Sequence, residues 1–291
     1  MRIAVLGTGM MGGPMARRLC EAGHTVHAWN RTRAKADPLA AHGARIHDAA
    51  RDAVAQAELV VSMLENGPIT EAVLFDATTG AAAAMRAGTL VVDMASIRPA
   101  EARDHAARLA ALGVAHVDAP VSGGTLGAEA GTLAIMAGGE AADVDRARPA
   151  LAALGRVTHV GPHGSGQLAK LANQMIVGIT IGAVAEALLL CEKGGADPAK
   201  VREAISGGFA DSRVLQVHGG RMVDRDFAPR ARMSVQLKDM RNALATAEAI
   251  GLQAPITALF ESLYADAIAH GLTDLDHSGL FVELARRNGM Q

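Results

Sequence analysis

The sequence predicts an α/β domain built on a doubly wound, mostly parallel sheet, followed by an all-α domain entered through one long helix. Three observations carry this. Short β-branched runs alternate with helical stretches as far as His159, the signature of a parallel sheet covered by helices. The first strand candidate, Arg2–Leu6, runs into a glycine turn of the form Gly7-x-Gly9-x-x-Gly12. After Gly161-Pro162-His163-Gly164-Ser165-Gly166 the strand signal stops and a long apolar helical pattern begins.

The elements follow in order. Strands are expected at Arg2–Leu6, Thr25–Trp29, Leu59–Leu64, Thr89–Met94, Ala115–Asp118, Leu133–Ala137 and Val157–His159. Helices are expected near Pro14–Ala22, Ala49–Gln56, Pro99–Leu112 and Ala141–Leu154. Gln167 to Lys193 contains no proline and ends at Gly194-Gly195; as a helix of about 27 residues it spans roughly 40 Å. That length exceeds the surface of one small domain, so it is expected to be the spine of the second domain. Further helices are expected near Pro198–Ile205, Ser234–Ile250, Pro255–Ala269 and Ser278–Arg287. The boundary is placed near Gly161, giving domains 1–161 and 162–291, with the cleft between them as the expected site.

Composition narrows the function classes. The chain has 291 residues, half of them apolar and 20% charged, which excludes global disorder. A net charge of −2 leaves no basic field for nucleic acid or an anionic membrane. Cys20 and Cys191 both lie in apolar helical patterns and read as core thiols in a reducing, cytoplasmic setting. Arg2 before an apolar run superficially resembles an export signal, but the run breaks at Gly7 and is needed as a strand. The apolar stretch Leu171–Cys191 carries Asn173, Gln174, Thr180 and Glu186, so a buried helix is expected rather than a membrane span.

A glycine triplet alone is weak evidence. Here it has a strand before it, a helix after it and a second strand one βαβ unit along, the context of a Rossmann-type dinucleotide site. Gly7 permits the tight turn, Gly9 the approach of a pyrophosphate and Gly12 close packing of helix on strand; the helix N-terminus, behind Met10 and Met11, offers N–H groups to phosphate. The second strand ends Trp29-Asn30-Arg31-Thr32-Arg33, with no carboxylate before Asp37. A carboxylate there would repel a 2′-phosphate, whereas Asn30, Arg31 and Thr32 accommodate one. NADP(H) is therefore expected over NAD(H).

Two stretches carry residues suited to substrate chemistry. Asp118-Ala119-Pro120-Val121-Ser122-Gly123-Gly124 leaves a strand for a loop of small residues, where a hydroxyl and successive N–H groups suit a carboxylate. The competing reading is a tight turn that needs glycine for its backbone alone. Gly164-Ser165-Gly166-x-x-x-Lys170-x-x-Asn173-Gln174 sets Lys170 and Asn173 on one helix face. A lone lysine on an apolar helix ordinarily snorkels to solvent; Asn173 beside it favours a role in the site.

With these motifs in order, the chain resembles the beta-hydroxyacid dehydrogenases, the family of hydroxyisobutyrate dehydrogenases and semialdehyde reductases. The resemblance covers essentially the whole chain and includes Lys238-Asp239 in the helical part. It implies that Lys170 is the catalytic lysine, that Ser122, Gly123, Gly124, Asn173 and Gln174 lie at the substrate, and that Met63, Leu64, Ser96 and Lys238 meet the cofactor. It also implies a small carboxylate substrate. Gln174 stands where many members have a second Asn, Glu65 where a Pro is frequent, Ala95 where a small hydroxyl residue is usual, and Ala231 where an aromatic often closes the pocket. Gln174 and Ala231 bear on the choice of substrate, not on the type of reaction.

Other chemistries are less well supported. The eleven His are scattered, with no H-E-x-x-H or C-x-x-C, so no metal is expected. Ser122 and Ser165 lack a nucleophile elbow. The alternatives are an imine or β-iminoacid reductase, to which Trp29-Asn30-Arg31-Thr32 is also similar, and a non-catalytic dinucleotide-binding module. The long apolar helix adds the expectation of a homodimer or higher homo-oligomer.

Overall fold

The computed structural model describes residues 1–290. The chain divides into two compact units, Met1–Lys170 and Leu171 onward. In the first, a nine-stranded sheet has the order β3-β2-β1-β4-β5-β6-β8-β7, with β9 paired to β8. The strands are β1 (Arg2–Leu6), β2 (Thr25–Trp29), β3 (Arg45–Ile46), β4 (Leu59–Ser62), β5 (Leu90–Asp93), β6 (Ala115–Asp118), β7 (Val121–Ser122), β8 (Leu133–Gly138) and β9 (Gly155–Gly161). β1 to β6 run parallel in the order 3-2-1-4-5-6, which reverses direction between β1 and β4. β8 turns antiparallel to β6 and β7, and its Gly138 meets Asp118, so the carboxyl ends of β6 and β8 lie together. β9 is parallel to β8 and pairs Gly161 with Gly138.

Alternation along the strands explains the two layers of helices. Ile3 and Val5 of β1, with Leu59 and Val61 of β4, face one core, shared with Met15 and Leu19 of α1 (Gly12–Glu21) and Val144 and Leu151 of α6 (Ala141–Leu151). Ala4, Leu6, Val60 and Val91 face the other, shared with Val54 of α2 (Ala50–Val54), Leu74 of α3 (Gly67–Phe75) and Leu109 of α4 (Pro99–Ala110). β4 and β5 are buried along their whole length, as expected for strands covered on both faces.

The main expected strands are present. The stretch after Asp118, expected as a loop, instead forms β7 and a short helix, α5 (Gly124–Ala130). α5 forms against its glycine content because Ala128 is fully buried in the first core and Gly127 packs on Leu133.

The second unit is helical. Its elements are α7 (Ser165–Lys193), α8 (Pro198–Ile205), α9 (Gly220–Asp224), α10 (Met233–Ala249), α11 (Pro255–Ala269) and α12 (Leu280–Arg287). By length and apolarity alone α7 would pass for a membrane span. Within this unit it is the hub of a packed core, with Ile181, Ala185 and Leu188 against Met222, Met240, Tyr264 and Leu280. Gly178 and Gly182 make the close approach possible, because a Cβ would lie 2.3 Å from Met240 Cε at the first and 2.0 Å from Phe260 Cε1 at the second. α7 begins at Ser165, and the division between units falls inside it, after Lys170, whereas the expected boundary lies near Gly161. The first turn is bonded to the sheet, which places it with the first unit.

Candidate active site

The glycine turn divides three tasks among three residues. Gly7 has φ +95°, and a Cβ there would lie 2.4 Å from the Met63 carbonyl oxygen. At Gly12 a Cβ would lie 1.9 Å from the Gly7 carbonyl oxygen, so α1 packs on the turn through bare backbone. At Gly9 a Cβ would meet no atom within 4 Å. Gly7 and Gly12 are therefore required by the protein's own packing, while the space at Gly9 is open, as a bound pyrophosphate needs. α1 has Met11 as its N-cap, with no side-chain cap and no acidic residue in its first turn, which leaves its N-terminal dipole available to phosphate. The residues present fit a dinucleotide. Met10 is exposed, and Met63 and Leu64 pack against the turn from the end of β4.

At the end of β2, Asn30 proves to be a brace. Its Oδ1 accepts from Thr8 N–H at 3.0 Å, and its Nδ2 donates to the Thr32 carbonyl at 3.0 Å. Arg33 is neutralised by Asp37 and Asp48. Arg31 is exposed and makes no side-chain hydrogen bond or ion pair among the described residues, and Thr32 beside it is exposed as well.

The carboxyl ends of β5 and β6 carry two buried acids that sequence reading did not single out as working groups. Ala95 N–H donates to Asp93 Oδ1 at 3.1 Å, and burial raises this carboxyl to about 7. Asp118 accepts from Gly164 N–H at 2.7 Å and Gln167 N–H at 3.0 Å; burial raises it to about 6 against these lowering hydrogen bonds. Asp118 thereby anchors the first turn of α7. The glycines there serve the same contact: a Cβ on Gly166 would lie 2.4 Å from the Asp118 and Met136 carbonyl oxygens, so the space at Gly166 is taken by the protein's own backbone. Gln167 was missed altogether. Fully buried, it donates Nε2–H to the Ala95 carbonyl at 2.8 Å and accepts from Ile97 N–H at 3.1 Å. It holds the residues on both sides of Ser96. Lys170, one turn further on, is 8% exposed.

Ser122 ends β7, and Gly123 and Gly124 follow with φ of +135° and +61°. Two successive positive φ values require glycine for the backbone alone. A Cβ on Gly124 would meet nothing within 4 Å.

In the second unit, Asn173 Nδ2 donates to Gln174 Oε1 at 2.9 Å. Gln174 Nε2 donates to Asp239 Oδ2 at 2.7 Å, and Gln236 Nε2 returns a bond to the Gln174 carbonyl at 3.0 Å. This amide network ties α7 to α10. Lys238 pairs with the buried Asp239 at 3.2 Å.

Two His/Asp groups, His116-Asp118-His163 and His218-Asp276-His277, bring potential ligand atoms within 4.8 Å of one another. In the first, Asp118 receives the N-terminus of α7, whose positive end opposes a cation. In the second, Asp276 already accepts from Arg221, Ser278 and Ala231.

Comparison with known proteins agrees with this geometry. Residues 2–161 match the profile described as the NAD binding domain of 6-phosphogluconate dehydrogenase, and 164–284 that of the NAD-binding region of NADP-dependent 3-hydroxyisobutyrate dehydrogenase. The chain is 43% identical over 281 residues, covering 96% of each protein, to 2-hydroxy-3-oxopropionate reductase of Escherichia coli. It is 38% identical over 286 residues, covering 96% of this chain and 95% of the other, to 3-hydroxyisobutyrate dehydrogenase of Pseudomonas aeruginosa. The solved structure of Mycobacterium tuberculosis 3-hydroxyisobutyrate dehydrogenase with L-serine superposes with a TM-score of 0.89 at 34% identity, over 97% of this chain and 98% of that one. The chain belongs to the beta-hydroxyacid dehydrogenases, NAD(P)-dependent oxidoreductases that act on CH–OH groups.

Proposed function

We propose that the protein is a reversible oxidoreductase preferring NADP(H), acting on a small β-hydroxy acid or its semialdehyde, with Lys170 as general acid and base. The observation that carries the reading is a buried lysine one helical turn beyond the side chain that grips both neighbours of Ser96. The bound nicotinamide supplies or accepts the hydride. A lysine ammonium is suited to protonating an alkoxide as it develops during reduction, and the neutral amine to taking the proton back in oxidation. Ser122, Gly123 and Gly124 are assigned to the substrate carboxylate, together with Asn173. Gln174, anchored on Asp239, orients the Asn173 amide. Lys238 and Ser96 are assigned to the cofactor. The 43% identity to 2-hydroxy-3-oxopropionate reductase makes that hydroxy-semialdehyde the first compound to assay.

Lys170→Ala is expected to lower turnover by about two decades or more while the protein still binds NADPH. The check is steady-state reduction of 2-hydroxy-3-oxopropionate beside a fluorescence titration with NADPH. Wild-type turnover in this variant would end the proposal.

The NADP(H) preference rests on Arg31, which is exposed and makes no ion pair among the described residues, beside an Arg33 already held by two carboxylates. Arg31→Ala is expected to raise the NADPH Michaelis constant roughly tenfold, about what one lost charge-assisted hydrogen bond costs, and to leave that for NADH nearly unchanged. Equal changes for the two coenzymes would refute the assignment.

The free thiols of Cys20 and Cys191 support a cytoplasmic setting. Exposed apolar residues on α7 and α11, with Ile176 at 66%, Leu190 at 74%, Ile256 at 61% and Leu259 at 58%, support a homo-oligomer. Analytical ultracentrifugation should show a dimer or larger; a single monomeric species at micromolar concentration would oppose it.

A further inference from the structure

We infer that Gln167 is a positioning residue of the reaction: its side chain fixes the Ser96 loop to the turn of α7 that carries Lys170, and so sets the cofactor-side loop and the acid–base lysine in register. The inference rests on the reading of Lys170 given above. Gln167 is fully buried, and its amide makes two bonds that an extended strand would make, donating to the Ala95 carbonyl and accepting from Ile97 N–H. Its own N–H donates to Asp118 at 3.0 Å, so strand end, loop and helix meet at one residue. Lys170 lies at i+3 from it, on the same side of the helix. Misplacement of reacting groups by about an ångström is costly in turnover, on the order of a hundredfold.

The chemistry of the amide supplies a test that packing alone would not satisfy. A protonated glutamic acid keeps both bonds, its O–H donating to the Ala95 carbonyl and its C=O accepting from Ile97 N–H. Its carboxylate has no proton for Ala95 and adds a negative charge beside Asp93 and Asp118. The charged and titratable groups around the start of α7 are Asp93 on β5, His116 and Asp118 on β6, Glu101 and Arg103 on α4, His163 in the preceding turn and Lys170 itself.

The experiment measures kcat and KM for NADPH-dependent reduction of 2-hydroxy-3-oxopropionate from mildly acidic to alkaline pH. It uses wild type, Gln167→Met, Gln167→Glu and Lys170→Ala, with far-UV circular dichroism recorded at each pH. Gln167→Met is expected to be folded, with kcat lower by roughly tenfold or more at every pH and a far smaller change in KM. Gln167→Glu is expected near wild type at acidic pH, losing kcat as the introduced carboxyl ionises, with its circular dichroism unchanged. Wild-type kcat in folded Gln167→Met, or a Gln167→Glu profile parallel to wild type, would overturn the inference. If Gln167→Met does not fold, Gln167→Glu decides. A pH limb without loss of helix supports the role, and activity that falls only together with the helix signal overturns it. An active Lys170→Ala would sink the lysine reading; an inactive one beside unaffected Gln167 variants sinks this inference alone.

Discussion

Asp118 in the first unit and Asp276 in the second are equally buried, with no exposed surface, yet the protein treats them in opposite ways. Asp118 is faced by backbone N–H groups, and burial lifts its carboxyl to about 6; its neighbour Asp93 is lifted to about 7. At Asp276 burial also opposes ionisation, but His218, His277 and Ser278 hold the carboxyl far below its usual range, and Arg221 donates to it at 3.0 Å. The helical unit thus uses a charged cluster as a fastener joining α9, the start of α10 and the turn before α12. At the sheet's carboxyl end no arginine bonds either acid: backbone N–H groups hold Asp118, and the Ala95 N–H and the Ser62 hydroxyl hold Asp93. Poorly compensated acids are a stability cost that working sites commonly carry.

The sharpest way to break this contrast is Arg221→Met, which removes the guanidinium and leaves a buried carboxylate. It is expected to cost about 3 kcal/mol, read as a lower urea midpoint at unchanged slope. Adding Asp276→Asn to it should recover part of that loss, because the anion goes with its partner. A single variant as stable as wild type would mean that Asp276 is no fastener.

The smaller effect runs the other way. The carboxyl of Asp93 moves from 3.8 to about 7 on folding, so the cost of burying its anion is absent below the first value and complete above the second. Asp93→Asn is expected to stabilise the protein by about 1–2 kcal/mol at pH 8, below the ceiling of about 1.4 kcal/mol per pKa unit, because the amide must reuse the Ala95 contact. The gain should shrink as pH falls towards 4. Thermal melts across that range check it, and a gain independent of pH would contradict the assignment.

Much of this was legible in the chain, for reasons that differ by element. β1 with its glycine turn could be read because strand, turn and helix are all encoded locally. α11 was bounded correctly at Pro255 and Ala269 because a proline opens it and an apolar pattern without further proline or glycine continues it. α5 was not legible: Gly124, Gly127 and the closing Gly131 argue against a helix, and only burial of Ala128 supplies one. Of the proposed site, Lys170 and Ser122-Gly123-Gly124 stand out in the sequence by residue type and spacing. Asn30 was read for its polarity, but its bonds run to Thr8 and Thr32. Gln167 left no trace, since its partners lie 70 and 72 positions away and a glutamine on a helix has no spacing that announces them.

The three glycines of the first turn are also under different evolutionary pressures. Side chains at positions 7 and 12 would collide with backbone atoms of the same chain, so any descendant that still folds must keep glycine there, whatever it binds. A side chain at position 9 would collide with no atom of the chain. A lineage that abandons its coenzyme would therefore be free to drift first at position 9, making that residue an early marker of lost catalysis among otherwise intact copies of this fold.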